Sequence, residues 1–241
     1  HPELLDWLAA ELRDSGWDLK HVHRLILTSA TYKQSSAGRA DALRVDGANN
    51  LLWRFNMRRL HAEEVRDAIL SVSGDLNRTM NGPSIFPRIP PAVLAGQSVP
   101  GAGWRTSAPV DQIRRSVYVH VKRSLLVPVL QTHDAADTDS SCPVRYTTTV
   151  PTQALGMLNG EFTNEQAARM AERLRESHRD PAEQVRRAIR LTTGRTPTDE
   201  EVRRDVAFLD RIMREENVPA DRALTLYCLM ALNTNEFAYV D

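Results

Sequence analysis

The chain is poor in cysteine, in aromatic residues and in long apolar runs, and it has no excess of charge of either sign. Its 241 residues include two cysteines, Cys142 and Cys228, which are too few for a disulfide framework. Lys plus Arg and Asp plus Glu number 31 each, so no overall field favours nucleic acid or an anionic membrane. No apolar run approaches the roughly 18 residues that span a bilayer. We therefore expect no nucleic-acid partner and no transmembrane segment.

The remaining composition is that of an ordinary globular protein. Apolar residues make up 41% and charged residues 26% of the chain, which is long enough for one large domain or two small ones. It opens on His1-Pro2-Glu3 without the basic and apolar stretches of a signal peptide. A start on His rather than Met indicates a fragment or a processed form.

Amphipathic helices are predicted in the N-terminal part, residues 1–80. The first covers residues 2–17 and ends near Gly16, and Asp18 can cap a second one. A third covers residues 63–73, with apolar side chains at helical spacing. Between the second and third helices, residues 35–50 are polar and are predicted to form a surface loop.

The C-terminal part, residues 151–241, is predicted to be a helical bundle. Pro151 suits the first turn of a helix that ends at Asn159-Gly160, and Asp180-Pro181 opens another. Two capping-box patterns mark further helix starts, Thr163 with Gln166 and Thr198 with Glu201. Residues 220–232 are apolar nearly all round, which is typical of a buried central helix.

The central part, residues 81–150, differs in composition from both ends. Residues 81–109 carry six of the thirteen prolines and four glycines, which favours an extended segment on the surface. Residues 117–121 alternate, with Val117, Val119 and Val121 on one face, and predict a strand that pairs with this segment. The fold class is thus predicted to be mainly α: a multi-helix domain with a C-terminal bundle and a small extended or β element near residues 117–121. The three parts are predicted to form one integrated domain.

The densest group of polar side chains lies in the central part. The candidate site residues are His120, Lys122, Arg123, His133, Asp134, Asp137, Asp139, Cys142 and Arg145. The carboxylates of Asp134, Asp137 and Asp139 are candidate ligands for a hard divalent cation such as Ca²⁺. The loop lacks the glycine and the closing Glu of an EF-hand, so the alternative is a polar turn in which Asp and Ser cap backbone N–H groups.

Other chemistry for the same residues has weaker support. His120, His133 and Cys142 are of the type that binds zinc, but their spacing is not that of a known zinc motif. A Cys142–His133 nucleophilic pair needs a thiolate-stabilising environment, and the alternative is that Cys142 is a small buried residue. His120, Lys122 and Arg123 with Tyr118 form either a groove for an anionic polymer or a solvated face.

Several long phrases of the sequence resemble a planctomycete family known as domain of unknown function 1553. The N-terminal phrases are HPELLDWLAAEL, GWDLKHVHRLILTSATYKQSS and LLWRFNMRRLHAEEVRDAIL. The later ones are RRSVYVHVKRSLLVPVLQTHDAADTDSSCPVRYTTTVPTQALGMLN and ALNTNEFAYVD. The resemblance spans nearly the whole chain and identifies no catalytic residues.

The resemblance implies a C-terminal module of an exported, extracytoplasmic or periplasmic multidomain protein. Upstream domains of such proteins often include a cytochrome c-like domain, so haem c is expected there, whereas this chain has no C-x-x-C-H motif and no expected cofactor other than a divalent cation. The first functional hypothesis is a non-catalytic interaction or scaffolding module that docks those upstream domains, or a protein or carbohydrate-handling partner. The alternative is an enzyme, dependent on a divalent cation, with its site in residues 133–145.

Overall fold

The computed structural model describes residues 1–240, which fall into two compact units. The first unit consists of residues 1–58 with Val240, and the second consists of residues 59–239. The division of the chain into three parts at residues 80 and 150 is based on composition, and it stays a prediction. No helix within residues 1–240 combines the length and the apolar content that crossing a membrane requires.

The first unit contains three helices, α1 (Pro2–Asp14), α2 (Leu19–Thr28) and α3 (Ala40–Val45). As predicted, Gly16 takes a left-handed conformation just after α1, and the Asp18 side chain accepts a hydrogen bond from the Lys20 N–H at 2.9 Å. The prediction of a plain loop over residues 35–50 is wrong, because α3 lies inside it. A six-residue helix is too short to show a helical period among polar residues.

The second unit is mainly helical, as predicted, and has ten α-helices within the described residues. They are α4 (Ala62–Ser73), α5 (Pro91–Ala95), α6 (Pro109–Gln112), α7 (Pro128–Thr132), α8 (Pro151–Asn159), α9 (Glu161–Ser177), α10 (Pro181–Thr193), α11 (Asp199–Glu215), α12 (Ala220–Leu232) and α13 (Asn235–Ala238). A 3₁₀ helix covers Ser116–Tyr118, and β1 (Arg58–Arg59) pairs with β2 (Tyr239–Val240) in a two-stranded antiparallel sheet.

Most of the predicted helix starts of the bundle are confirmed. Asp180 caps α10 through the Ala182 N–H at 3.2 Å, and Thr198 and Glu201 form a reciprocal capping box at the start of α11. The capping box predicted for Thr163 and Gln166 is wrong. The helix α9 begins two residues earlier, so both side chains face inward, 2% and 5% exposed.

The main core of the second unit forms around α9, which packs between α4 and α12. The inward face of α9 is fully buried and consists of Ala167, Met170, Ala171 and Leu174. The helix α12 was predicted to be central, and Leu224, Tyr227, Cys228 and Leu232 on it are all buried. The Tyr227 hydroxyl is satisfied inside this core, because it donates to a carboxylate oxygen of Asp205 at 2.8 Å.

A second, smaller core holds the Pro-rich segment against the 3₁₀ helix and α7. Its buried members are Ala62, Ile85, Ile89, Trp104, Val119, Leu125, Val127 and Leu130. Ile85 and Val119 form one isolated parallel bridge, so the predicted neighbour of residues 117–121 is confirmed, but the predicted strand is wrong, because Ser116–Tyr118 form a 3₁₀ helix. The predicted face is wrong, because Val117 and Val121 are 70% and 66% exposed while Val119 is buried. The 3₁₀ turn rotates Val117 away from the position that an extended strand would give it.

A tight corner joins α8 to α9 at Gly160. A Cβ atom added to Gly160 would overlap the carbonyl oxygen of Gly156, whereas a Cβ atom on Gly156 would meet Thr132 only at ordinary contact distance, 3.8 Å. The backbone angles of Gly160 suit any residue, so its conformation does not require glycine. The close approach of the two helices does require it, because there is no room for a Cβ atom.

We expect Gly160→Ala to lower the free energy of unfolding by about 1–3 kcal/mol, because the new methyl group forces the corner open. Gly156→Ala is the matched control. It should leave stability unchanged or raise it slightly, because alanine is the better residue inside a helix. Urea denaturation of both variants measures the difference, and equal stability of the two would contradict the steric account.

Candidate functional site

The carboxylate of Asp134 is the best-connected of the predicted site residues. It accepts hydrogen bonds from Arg59 Nη2 at 2.5 Å, from the Thr148 backbone N–H at 2.9 Å and from the Thr148 hydroxyl at 2.8 Å. The Gln153 amide lies at 3.4 Å. Asp134 thus joins the end of α7, the segment before α8 and the first residue of the second unit.

The local backbone explains how Asp134 reaches these partners. Asp134 follows α7 in the left-handed region, with φ 62°, which Asp tolerates better than most residues. The Ala135 N–H then bonds back to the Leu130 carbonyl at 3.0 Å, which closes the helix end.

The surroundings of Asp134 favour its ionised form. Partial burial raises the pKa of the carboxyl group, but the hydrogen bonds from Thr148, the positive charge of Arg59 and the Gln153 amide outweigh it, so the pKa lies below its ordinary value. The Arg59 side chain is only 5% exposed, and its Nε and Nη1 have no hydrogen-bond partner among residues 1–240. Asp134 is therefore the charge that compensates a buried guanidinium.

The other two predicted metal ligands serve a local turn. Asp137 accepts hydrogen bonds from the Asp139 N–H at 2.9 Å and from the Ser140 hydroxyl at 2.6 Å, and these bonds hold its pKa below the ordinary value. Asp139 pairs with Arg123 at 3.3 Å, and both side chains are more than 70% exposed. This is the capped polar turn that the sequence suggested as the alternative to a cation site.

The remaining predicted residues lie in separate surroundings. Arg145 pairs with Glu63 at 2.6 Å. The ring of His120 stacks on Phe86 with centroids 4.6 Å apart, and the Lys122 ammonium donates to a backbone carbonyl. The nine candidates therefore do not form one pocket.

Both cysteines are free thiols, in opposite surroundings. Cys142 is exposed, so the alternative prediction that it is a small buried residue is wrong; its neighbours from residue 139 to residue 150 are exposed as well and cannot bury it. Cys228 is fully buried in the main core, and burial raises the pKa of its thiol to about 12. Neither arrangement pairs a thiolate with a histidine.

The structure does not bring the predicted metal ligands together. Within residues 1–240, no three side chains of His, Cys, Asp or Glu are placed to hold one ion. Asp134 is bound to Arg59 and Thr148, Asp137 and Asp139 face solvent, and His133 is buried while Cys142 is exposed. The candidate ligands are close in sequence, but in the described structure they do not share one ion site.

His133 is the one predicted residue that lines a large cleft. It is 5% exposed, and its Nδ1 lies 2.9 Å from the Val129 carbonyl oxygen and 3.1 Å from the Thr132 hydroxyl. Since a carbonyl only accepts, Nδ1 carries the proton and Nε2 is the acceptor nitrogen of the ring. Burial lowers the pKa of the imidazole, so the ring is neutral at neutral pH.

The cleft lies within the second unit and has a volume of about 1300 Å³. The Pro-rich segment, α6 and the charged face of α9 supply much of its lining. The helices α7 and α8 and the first turns of α12 complete the lining. Sequence reasoning missed this cleft because its residues are spread from position 66 to position 225.

Ion pairs cover the α9 wall of the cleft. Arg88 bridges the carboxylates of Glu161 and Glu165, with Glu161 at 2.9 Å. Arg169 lies 3.2 Å from Glu172 and 3.9 Å from Asp75. At the far end Arg175 pairs with Asp221 at 2.5 Å. The i, i+4 repeat of charged residues along α9 was a usable sequence signal for a polar face.

Arg66 lies at the base of the cleft as a buried cation. It is 2% exposed, and it donates to the Arg114 carbonyl at 3.0 Å, the Ser116 hydroxyl at 3.1 Å and the Gln112 carbonyl at 2.6 Å. Burial lowers the pKa of the guanidinium to about 10, and the Asp67 carboxylate, 3.7 Å away, opposes that shift. Its donors thus hold the cleft wall in place.

Comparison with known proteins gives one finding of family membership. A family model described as "Protein of unknown function (DUF1553)", PSD1, matches residues 1–209. No curated protein matches the chain, and no solved structure matches it. The match covers the first unit and most of the second, and the family description states no activity.

We expect Asp134→Asn to lower the free energy of unfolding by about 2–4 kcal/mol at pH 7, because it leaves the buried Arg59 without a countercharge. The pKa of Asp134 is depressed in the folded state, so its stabilisation is present above about pH 4 and is lost as the pH falls further. Urea denaturation at several pH values measures this effect.

Asp137→Asn is the matched control for this prediction. It changes the same charge in the same loop at an exposed turn, so the denaturation midpoint should hardly move. A difference between the wild type and Asp134→Asn that persists at full size at pH 2 would show that charge is not the cause.

Proposed function

Since the chain belongs to the family of proteins of unknown function DUF1553, we propose its function from its own geometry: it is a non-catalytic interaction module. In this proposal residues 1–58 bind the apolar surface of another protein domain. The observation that carries the proposal is the exposure of apolar side chains on α1, α2 and α3.

The three helices of the first unit bury none of their own residues. Leu5 and Trp7 on α1 are 69% and 49% exposed, and Leu27 on α2 is 50% exposed. Among residues 1–58 the structure buries a single side chain, that of Asn49, so this unit has no apolar core within the chain.

The exposed apolar area favours a protein partner. Single exposed apolar residues are ordinary, but a set of this size across two packed helices is typical of an interaction surface, because burying it away from water is strongly favourable. Residues 1–58 hold eight Lys or Arg and seven Asp or Glu side chains. Such a balance gives no attraction to an anionic polymer, so the complementary surface is apolar with a mixed polar rim.

The partner in this proposal is an upstream domain of the same polypeptide. The family resemblance implies such domains, including a cytochrome c-like one that would carry haem c, in an extracytoplasmic protein. An apolar contact of this kind orients one domain relative to the next. In this proposal the module itself catalyses no reaction.

The contacts of the predicted loop support a non-catalytic role over an enzyme with its site in residues 133–145. Asp134 compensates Arg59, Asp137 caps a turn and Arg145 pairs with Glu63. These side chains already have partners that hold the loop in place. A reacting group would need at least one of them directed at a substrate.

The proposal predicts that Leu5→Glu weakens binding to the upstream domain, expressed separately, by at least about tenfold, because it buries a charge in an apolar contact. Glutamate is well tolerated in the first turns of a helix, so α1 should persist. Isothermal titration calorimetry with circular dichroism as a folding check measures both effects.

Val117→Glu is the matched control, since Val117 is 70% exposed but lies in the second unit. It should leave the affinity unchanged. Equal affinities for the wild type and Leu5→Glu would contradict the proposal. A dimer in sedimentation velocity that Leu5→Glu abolishes would instead identify a second copy of the chain as the partner.

A further inference from the structure

We propose that Met80 is a site of oxidative modification: a hydroperoxide converts its thioether to the sulfoxide, and the new sulfoxide oxygen accepts hydrogen bonds from Arg115 and Tyr118. The three residues lie in the second unit, outside the loop of residues 133–145 and outside the apolar surface of residues 1–58. The proposal therefore stands or falls separately from the proposed interaction role.

Met80 is one of two methionines that are mostly exposed to solvent. It is 59% exposed, and Met57 is 61% exposed. Met157 and Met170 are buried in the main core, and the last two of the six methionines are half-buried. A dissolved oxidant reaches exposed thioethers first. We therefore expect Met57 and Met80 to react before the other four.

The surroundings of the Met80 sulfur differ from those of the Met57 sulfur. The Tyr118 hydroxyl donates to the Met80 Sδ at 3.8 Å, and the Arg115 Nη1 donates to the same atom at 3.9 Å. No residue in the described part of the chain donates to the sulfur of Met57. A thioether sulfur is a weak acceptor, so two donors, one of them charged, are aimed at an atom that makes little use of them.

Both donors are held in position by other contacts of the second unit. The Tyr118 hydroxyl accepts a hydrogen bond from the Asn81 backbone N–H at 2.7 Å, which leaves its own proton free to point at the sulfur. The Arg114 guanidinium lies 4.0 Å from the centre of the Tyr118 ring. The Arg115 Nε lies 4.0 Å from a carboxylate oxygen of Asp67. The donors are thus in place before the sulfur reacts, so binding a sulfoxide oxygen requires little reorganisation.

The reaction with hydrogen peroxide is a two-electron oxidation of the sulfur. A sulfur lone pair attacks one peroxide oxygen, so that the S–O bond forms and the O–O bond breaks. The second oxygen leaves as hydroxide and takes the proton of the transferred oxygen, so the products are one sulfoxide and one water. The sulfur is oxidised and the peroxide is reduced. The weakly accepting thioether thereby becomes a polar group with a strong acceptor oxygen.

The oxidised side chain should strengthen the start of the Pro-rich segment. Methionine oxidation disrupts a protein where it puts a polar group into an apolar core, but Met80 is exposed and faces two donors. Met80 directly precedes the Pro-rich segment, residues 81–109. Tyr118 ends the 3₁₀ helix, and Arg115 directly precedes it. Hydrogen bonds to a sulfoxide oxygen therefore bind this end of the segment more firmly to the 3₁₀ helix.

The test uses the purified chain, treated with dilute hydrogen peroxide. Met57→Leu leaves Met80 as the exposed target, and Met80→Leu leaves Met57 as the matched control. Peptide mass spectrometry measures which methionine gains an oxygen atom. Hydrogen–deuterium exchange over residues 78–83 and the melting temperature, each recorded before and after treatment, measure the effect on the fold.

We expect treated Met57→Leu to carry one added oxygen at Met80. Exchange over residues 78–83 should then be at least about threefold slower, and the melting temperature about 2–4 °C higher, because the new hydrogen bonds must open first. Treated Met80→Leu should show neither change. The proposal is overturned if Met80 stays unoxidised, or if exchange is unchanged or faster once it is oxidised.

Three further variants separate the two donors from general effects of a polar side chain. In the Met57→Leu background, Arg115→Leu removes one donor, so the slowing on oxidation should fall below about twofold. Arg78→Leu removes the same charge at an exposed position two residues from Met80, and the slowing should keep its full size. Met80→Gln places a carbonyl oxygen near the position of the sulfoxide oxygen, so it should slow exchange without any oxidant. Equal effects of the two arginine substitutions would overturn the proposal.

Discussion

The burial of one face of α9 is the interaction on which the rest of the second unit depends. Ala167, Met170, Ala171 and Leu174 are fully buried between α4 and α12. Small residues alternate with large ones on this face, which lets the neighbouring helices approach closely. Because one face of α9 is fixed inside the core, the opposite face, with its charged residues, is fixed as a wall of the cleft.

Buried arginines donate hydrogen bonds to backbone carbonyl groups that the backbone N–H groups of a neighbouring strand would satisfy in a β-sheet. Arg66 donates to the carbonyl groups of Gln112 and Arg114, and Arg114 in turn donates to the carbonyls of Asn81 and Pro83 in the Pro-rich segment. A segment rich in proline cannot satisfy its carbonyls through a regular ladder, since its own N–H donors are too few. Guanidinium groups supply the missing donors, so the Pro-rich segment stays in place over the second core.

Two different surfaces follow from this construction. The first unit presents apolar side chains such as Leu5 and Trp7 to solvent, and the second unit presents a polar cleft with His133 in its wall. Of the loop that the sequence predicted as a candidate site, residues 133–145, only His133 lines the cleft. Asp134 compensates the buried charge of Arg59, so its place in this group of titratable residues has a structural cause.

The sequence by itself determined the helices whose signals are local. The caps at Asp18, Asp180 and Thr198 acted as predicted, because a cap and its helix lie within four residues of one another. Tertiary structure decided what depends on distant partners. Gln166 reads as a capping residue, yet it accepts a hydrogen bond from Ser73 in the core, 93 positions away. The cleft is of the same kind: the residues that line it are spread from position 66 to position 225, and they lie side by side only because distant helices pack together.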